Sequence, residues 1–92
     1  MNTDDDNINP DSENLYARLR MLGCEDISIP KSKAKLYYAL NIPNSEKDVL
    51  IIHKHRPSLC FTKKGLSMRL RNQYPINKNT IKWVLPFIAQ NN

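Results

Sequence analysis

Two histidines and two cysteines are the side chains best suited to metal or nucleophilic chemistry, and their spacing argues against both. His53 and His55 stand two apart, with Cys60 shortly after them and Cys24 far upstream. On a helix, residues two apart point away from each other, and no Cys-x-x-Cys or His-x-x-x-His pair supplies the usual zinc-ligand spacing. No metal and no cofactor is expected. A Cys60–His nucleophilic pair needs a carboxylate to orient its imidazole, yet every acid lies at or before Asp48. Gly23 and Gly65 are the only glycines, too few for a phosphate-cradling loop. The chain therefore reads as a protein that is not an enzyme. Both cysteines are expected as buried thiols, and the histidines as polar groups near phosphate that gain charge at mildly acidic pH.

Charge carries more information than any single side chain. Residues 1–26 hold seven acids against Arg18 and Arg20, a net of −5. Residues 27–48 hold four lysines against Glu46 and Asp48, a net of +2. Residues 49–92 hold Lys54, Arg56, Lys63, Lys64, Arg69, Arg71, Lys78 and Lys82 and no acid at all. Like charges repel unless an outside anion compensates them, so this segment implies a polyanionic partner. Nucleic acid is the foremost candidate, because each cation placed on a phosphate releases condensed counterions.

The 92 residues leave room for one small core. No apolar run approaches the roughly 18 residues of a membrane span. The acidic, polar N-terminus is unlike a signal or transit peptide, so a cytoplasmic or nucleoid-associated location is expected, away from membranes.

The elements that must position these residues read as helices. Residues 1–12 form an expected disordered acidic arm, and 13–92 a single domain. Ser12 resembles a helix N-cap, Leu15, Leu19 and Leu22 recur at helical spacing, and Gly23 follows as a stop. Ile27 and Ile29 alternate around Ser28 in a connector that could add a short strand. A second helix is expected over 31–40 behind Pro30, with Asn41–Asn44 as a break. Ser45 and Asp48 approximate a capping box for a third helix over about 46–56. A fourth covers 63–71 with Leu66 and Leu70 on one face. A fifth starts after Asn77, and Pro86 should kink or end it near Leu85. The expected class is all-α, a bundle of four or five short helices.

Residues 62–85 resemble the helix-turn-helix DNA-binding superfamily in a long-turn form. Leu66, Ser67 and Leu70 fall where that motif has a leucine, a small residue and a second apolar residue; Ile76, Ile81 and Val84 match its turn and second helix. The resemblance implies sequence-selective binding of double-stranded DNA by a small transcriptional regulator, in which a homodimer would read two half-sites. It implies base contacts from Asn77, Lys78, Asn79, Thr80 and Lys82, and phosphate contacts from Thr62, Lys63, Lys64, Arg69 and Arg71. A rival expectation is a protein-interaction adaptor or inhibitor gripping a partner, or a second copy, through Trp83, Leu85, Phe87 and Ile88. A third is a non-specific RNA or single-strand binder with Trp83 and Tyr74 stacking on bases.

Overall fold

The computed structural model of the chain describes residues 7–63 and 73–90. It overturns the all-α expectation. Three helices accompany a five-stranded sheet, in the order α1 (Pro10–Met21), β1 (Glu25–Asp26), α2 (Lys31–Ala34), β2 (Tyr37–Ile42), β3 (Ser45–His53), β4 (Ser58–Lys63), β5 (Tyr74–Pro75) and α3 (Lys78–Gln90). The strands lie side by side in sequence order, and every neighbouring pair is antiparallel.

Val49-Leu50-Ile51-Ile52 shows why a helix over 46–56 gives way to a strand. A short apolar run fits either a buried helix or a strand covered on both faces, and periodicity alone does not separate them. Here the run alternates between two clusters. Leu50 and Ile52 join Leu40, Ile42 and Leu59 beneath Leu15 and Leu19 of α1 and Val84 and Ile88 of α3. Val49 and Ile51 pack with Ala39 and Cys60 on the reverse face, beside Ile27, Ile29 and Tyr37. The sheet uses every residue of the run, whereas one helical face would use about half.

The helix expected over 31–40 shrinks for the same reason. α2 ends at Ala34, and Tyr37–Ile42 pair with β3 instead. Of the expected break over 41–44, Asn41 and Ile42 join β2 and only Pro43 and Asn44 form the hairpin turn, where Asn44 takes a left-handed φ of 60° that asparagine tolerates better than most residues. Ser45 and Asp48 do meet, Oγ donating to Oδ2 at 2.7 Å, but within strand β3 and not as a helix cap. The expected strand signal at Ile27 and Ile29 falls just after β1, with the Ile27 amide donating to Ala39.

The two long helices are the elements read most nearly right. Asn9, not Ser12, caps α1, its side chain accepting from the Asp11 and Ser12 amides, with Pro10 at the first helical position. Pro10–Ser12 thus belong to the helix and not to an arm, of which residues 1–6 lie outside the described residues. Ser12 is fully buried, its hydroxyl donating to the Arg56 carbonyl at 2.9 Å. Gly23 follows α1 at φ 103°, a conformation that favours glycine. Pro86 does not end α3, which runs on to Gln90. Its ring faces solvent, while Val84 and Ile88 anchor the turns on either side in the core. Among the described residues no helix is long and apolar enough to cross a membrane.

Register then determines which elements share an end of the sheet. Tyr37 at the start of β2 lies opposite His53 at the end of β3, and Leu59 near the start of β4 lies opposite Ile52 and Tyr74. The β3–β4 turn, residues 54–57, closes this end. α1 begins here, the Asn9 amide donating to Lys54 at 2.7 Å. α3 begins here too, since Ile76 donates to Pro57 at 2.7 Å just before the helix.

Candidate functional site

The end of the sheet closed by residues 54–57 gathers cations from three separate stretches of sequence. α2 contributes Lys31, Lys33 and Lys35, the β3–β4 turn Lys54 and Arg56, and the first turns of α3 Lys78 and Lys82. Among the described residues none of these seven forms an ion pair. Among the described residues the acids at this end are Asp11 and Glu13, in the first turn of α1, where they offset that helix's own dipole. α3 has no acid in its first turn, so its positive end adds to the field. Asp26 lies at mid-sheet opposite Leu40 and is paired with Arg20, while Glu25 and Asp48 lie toward the opposite end, in register with Asn41 and Lys63.

The turn is held by backbone bonds and by its two histidines. Lys54 donates its amide to Leu36 at 2.8 Å and lays its ammonium over the Tyr38 ring, 4.9 Å from the centroid. That ring stacks on Tyr16, centroids 4.0 Å apart. His53 accepts at Nδ1 from the amides of His55 and Arg56, at 3.0 and 3.1 Å. An imidazole nitrogen that accepts cannot carry a proton, so the geometry requires neutral His53 with its proton on Nε2. Burial, then the nearby Arg56 and His55, hold its pKa below the usual histidine value. The expectation that His53 gains charge near phosphate is therefore corrected: it shapes the turn as a neutral acceptor. The His55 ring lies 3.2 Å from the Asn7 carbonyl and 3.3 Å from that of Lys35, joining the N-terminal segment to α2. Ser32, Lys35, Leu36 and His55 line a cleft of about 330 Å³ there.

Where residues 62–85 are described, two stretches take other places than the helix-turn-helix resemblance gives them. Thr62 and Lys63 close a strand, opposite Val49 and Asp48, and Tyr74–Pro75 form another before α3. From Leu59, beside Tyr74, to Lys63 the strand advances about 13 Å at 3.3 Å per residue. Thr62 and Lys63 thus lie away from the start of α3 and do not flank it as the motif would place them. Lys64, Arg69 and Arg71, with the helix expected over 63–71 beyond Lys63, lie outside the described residues.

On α3 the expected base-contacting residues separate by role. Asn77 caps the helix, Oδ1 accepting from the Thr80 amide at 2.9 Å. Thr80 is 5% exposed and faces the sheet, so it cannot meet a base edge. Lys78, Asn79 and Lys82 are exposed. Of the residues expected to grip a partner, Ile88 is fully buried and belongs to the core. Leu85 is half-buried and lines a groove of about 380 Å³ with Arg18, Met21, Leu22, Pro86 and Ala89. Trp83 and Phe87 are 42% and 44% exposed. Sequence reasoning left Lys31, Lys33, Lys35, Lys54 and Arg56 out of the site. Their lysine density was visible, but the strand pairing that draws them together was not.

Cys24 and Cys60 are free thiols buried in opposite clusters of the sheet, and burial pushes the Cys60 thiol up to about 11. Among the described residues no three histidines, cysteines or carboxylates converge as metal ligands would. Comparison with protein-family models, curated proteins and solved structures finds no match to this chain, and so none that indicates a helix-turn-helix protein.

Proposed function

We propose that this protein binds nucleic acid, seating phosphates on the basic end of the sheet. The observation that carries the proposal is the convergence of Lys31, Lys33, Lys35, Lys54, Arg56, Lys78 and Lys82 at one end, where the acids among the described residues are Asp11 and Glu13. Folding concentrates like charge there at a cost in self-repulsion, which a polyanion relieves. Five or so phosphate contacts give a log–log salt slope of about −3.5 on a single strand and about −4.5 on duplex. The proposal does not depend on a helix-turn-helix. The turn residues and α2 supply the cations, and the exposed start of α3 supplies Asn79, able to pair with a base edge.

Anisotropy titrations of labelled oligonucleotides across a range of salt test the proposal. Replacing Lys31, Lys33 and Lys35 together by glutamate should abolish measurable binding, and Lys54→Ala with Arg56→Ala should flatten the slope by about 1.5 units. A wild-type affinity indifferent to salt, or binding unaltered by the triple charge reversal, would remove nucleic acid as the partner.

A further inference from the structure

Four aromatic rings meet along the side of α3 that faces β4 and β5. Trp83 lies 5.2 Å from Tyr74 in an edge-on arrangement and 6.2 Å from Phe61 at a 33° tilt. Phe87 meets Phe61 edge-on at 5.9 Å, and Phe61 meets Tyr74 at 6.4 Å. Phe61 and Tyr74 are half-buried against the main core and act as the backing. Trp83 and Phe87 stand in front, each with over two-fifths of its surface in water. They are four residues apart, so they share one side of the helix about 6 Å apart along its axis.

The exposure is not a by-product of helix burial. α3 already covers the sheet through Thr80, Val84 and Ile88, which repeat every four residues. Trp83 and Phe87 each precede a buried residue by one position, turned about 100° from it toward solvent. Their packing partners hold the rings in defined orientations and leave them partly uncovered.

The neighbours of this platform are polar or cationic. Asn79 precedes Trp83 by one turn, and Lys78 and Lys82 form the next ridge round the helix. No acid occurs anywhere after Asp48, so no carboxylate of β4, β5 or α3 stands beside the rings to repel a phosphate. Tyr74 also links the rings to the basic end, since it pairs with Leu59 next to the β3–β4 turn.

We propose that the nucleic acid is held as a single strand whose unpaired bases stack on Trp83 and Phe87 while Lys78 and Lys82 take its phosphates. The proposal rests on the nucleic-acid reading above and deepens it by naming the substrate class. Bases in a duplex hide their faces against one another, so rings stack on them without an unstacking cost when the bases are unpaired. A groove-reading protein needs polar side chains at this position. A stacking protein needs flat apolar surface beside cations, and this is the combination present.

Trp83 is the only tryptophan of the chain, so its fluorescence reports on this ring alone. The full-length chain is titrated at low salt with an oligothymidylate of about twelve nucleotides, within the site sizes common for single-strand binders, and with a matched duplex. Saturable quenching by the single strand, at an affinity above that for duplex, is the expected result. Trp83→Ala should weaken single-strand binding by about five- to a hundredfold, as loss of one stacked base does, with duplex binding little changed. Trp83→Phe should retain most of the affinity, and circular dichroism on both variants separates lost stacking from lost folding. Salt-dependent binding without quenching, or a preference for duplex, would overturn single-strand stacking while leaving the nucleic-acid reading in place. Unchanged oligonucleotide affinity in a folded Trp83→Ala protein would assign the exposed rings to a protein surface instead. No binding of either oligonucleotide at low salt would overturn both proposals.

Discussion

Replacing His53 by alanine should destabilise the fold measurably and disorder the turn that carries Lys54 and Arg56. In the native protein Nδ1 accepts from two backbone amides, at 3.0 and 3.1 Å. Each such bond contributes about 0.5–1.5 kcal/mol net, and two of them at a half-buried site give about 1–2 kcal/mol. For a domain of this size that lowers the melting midpoint by about 4–8 °C per kcal/mol. His53→Asn separates the bond from the proton. Its carboxamide oxygen can take the place of Nδ1 and accept both amides, but it does not titrate, so most of the stability at neutral pH should return. The pH dependence follows with its sign. The folded pKa of His53 lies below the unfolded value near 6.5, through burial first and then Arg56 and His55. The unfolded chain therefore takes up this proton first. The contribution is present above about pH 6.5 and is lost as pH falls through the lower folded value. Urea denaturation at pH about 7.5 and about 5 measures both effects. His55 is common to wild type and His53→Asn, so the difference between their pH profiles isolates residue 53. The account fails if His53→Ala lies within about 0.5 kcal/mol of wild type at the higher pH. It fails equally if the two pH profiles superimpose.

Asn77→Ala should lower stability by about 0.5–2 kcal/mol, while Asn77→Asp or Asn77→Ser restores it, because the side chain caps α3. Oligonucleotide sequence preference should not change with it; a shift in preference at full stability would return Asn77 to base contact. The Cys60 thiol should resist aromatic-disulfide labelling at neutral pH until the protein unfolds, being 2% exposed with its pKa raised by burial to about 11. Labelling in native buffer at the rate seen in urea would show that the sheet opens far more readily than this packing allows.

The parts legible in the sequence were those determined by neighbours a few residues apart. α1 and the start of α3 are legible because caps and stops act locally and apolar residues recur every three or four positions. Leu15 and Leu19 mark the first helix, Ile81 and Val84 the last, and Gly23 and Asn77 punctuate them; Ile88, expected on a partner surface, is the part of α3 that the spacing does not place. The errors arose where two local patterns were nearly equal in strength. Lys31–Leu40 and Ser45–His55 have helix-compatible spacing, a proline or serine start and no glycine, against which the β-branched Val49, Ile51 and Ile52 are the one local sign of a strand. Their conformation is decided by each other: Tyr37–Asn41 pair with His53–Val49, and the gain in hydrogen bonds and two-sided burial belongs to neither segment alone. Strand pairing also decides Thr62 and Lys63, where the helix-turn-helix resemblance opens: they complete a ladder with β3, while Leu66 and Leu70 lie outside the described residues.

By itself the sequence determined that the chain is basic and that every acid lies at or before Asp48, which leaves the half beyond it purely cationic. Charge and residue type survive any fold, so those statements hold without coordinates. Which cations stand together was decided by the sheet. The antiparallel meander returns β2, β3, β4 and β5 to one end, and through that end α2, the β3–β4 turn and the start of α3 become neighbours across nearly fifty residues of chain. Lys31, Lys33 and Lys35, absent from the site read in sequence, enter it this way, and Thr80 and Ile88 leave it for the core. Long-range strand pairing is a property of two segments at once, and no pattern within one segment encodes it.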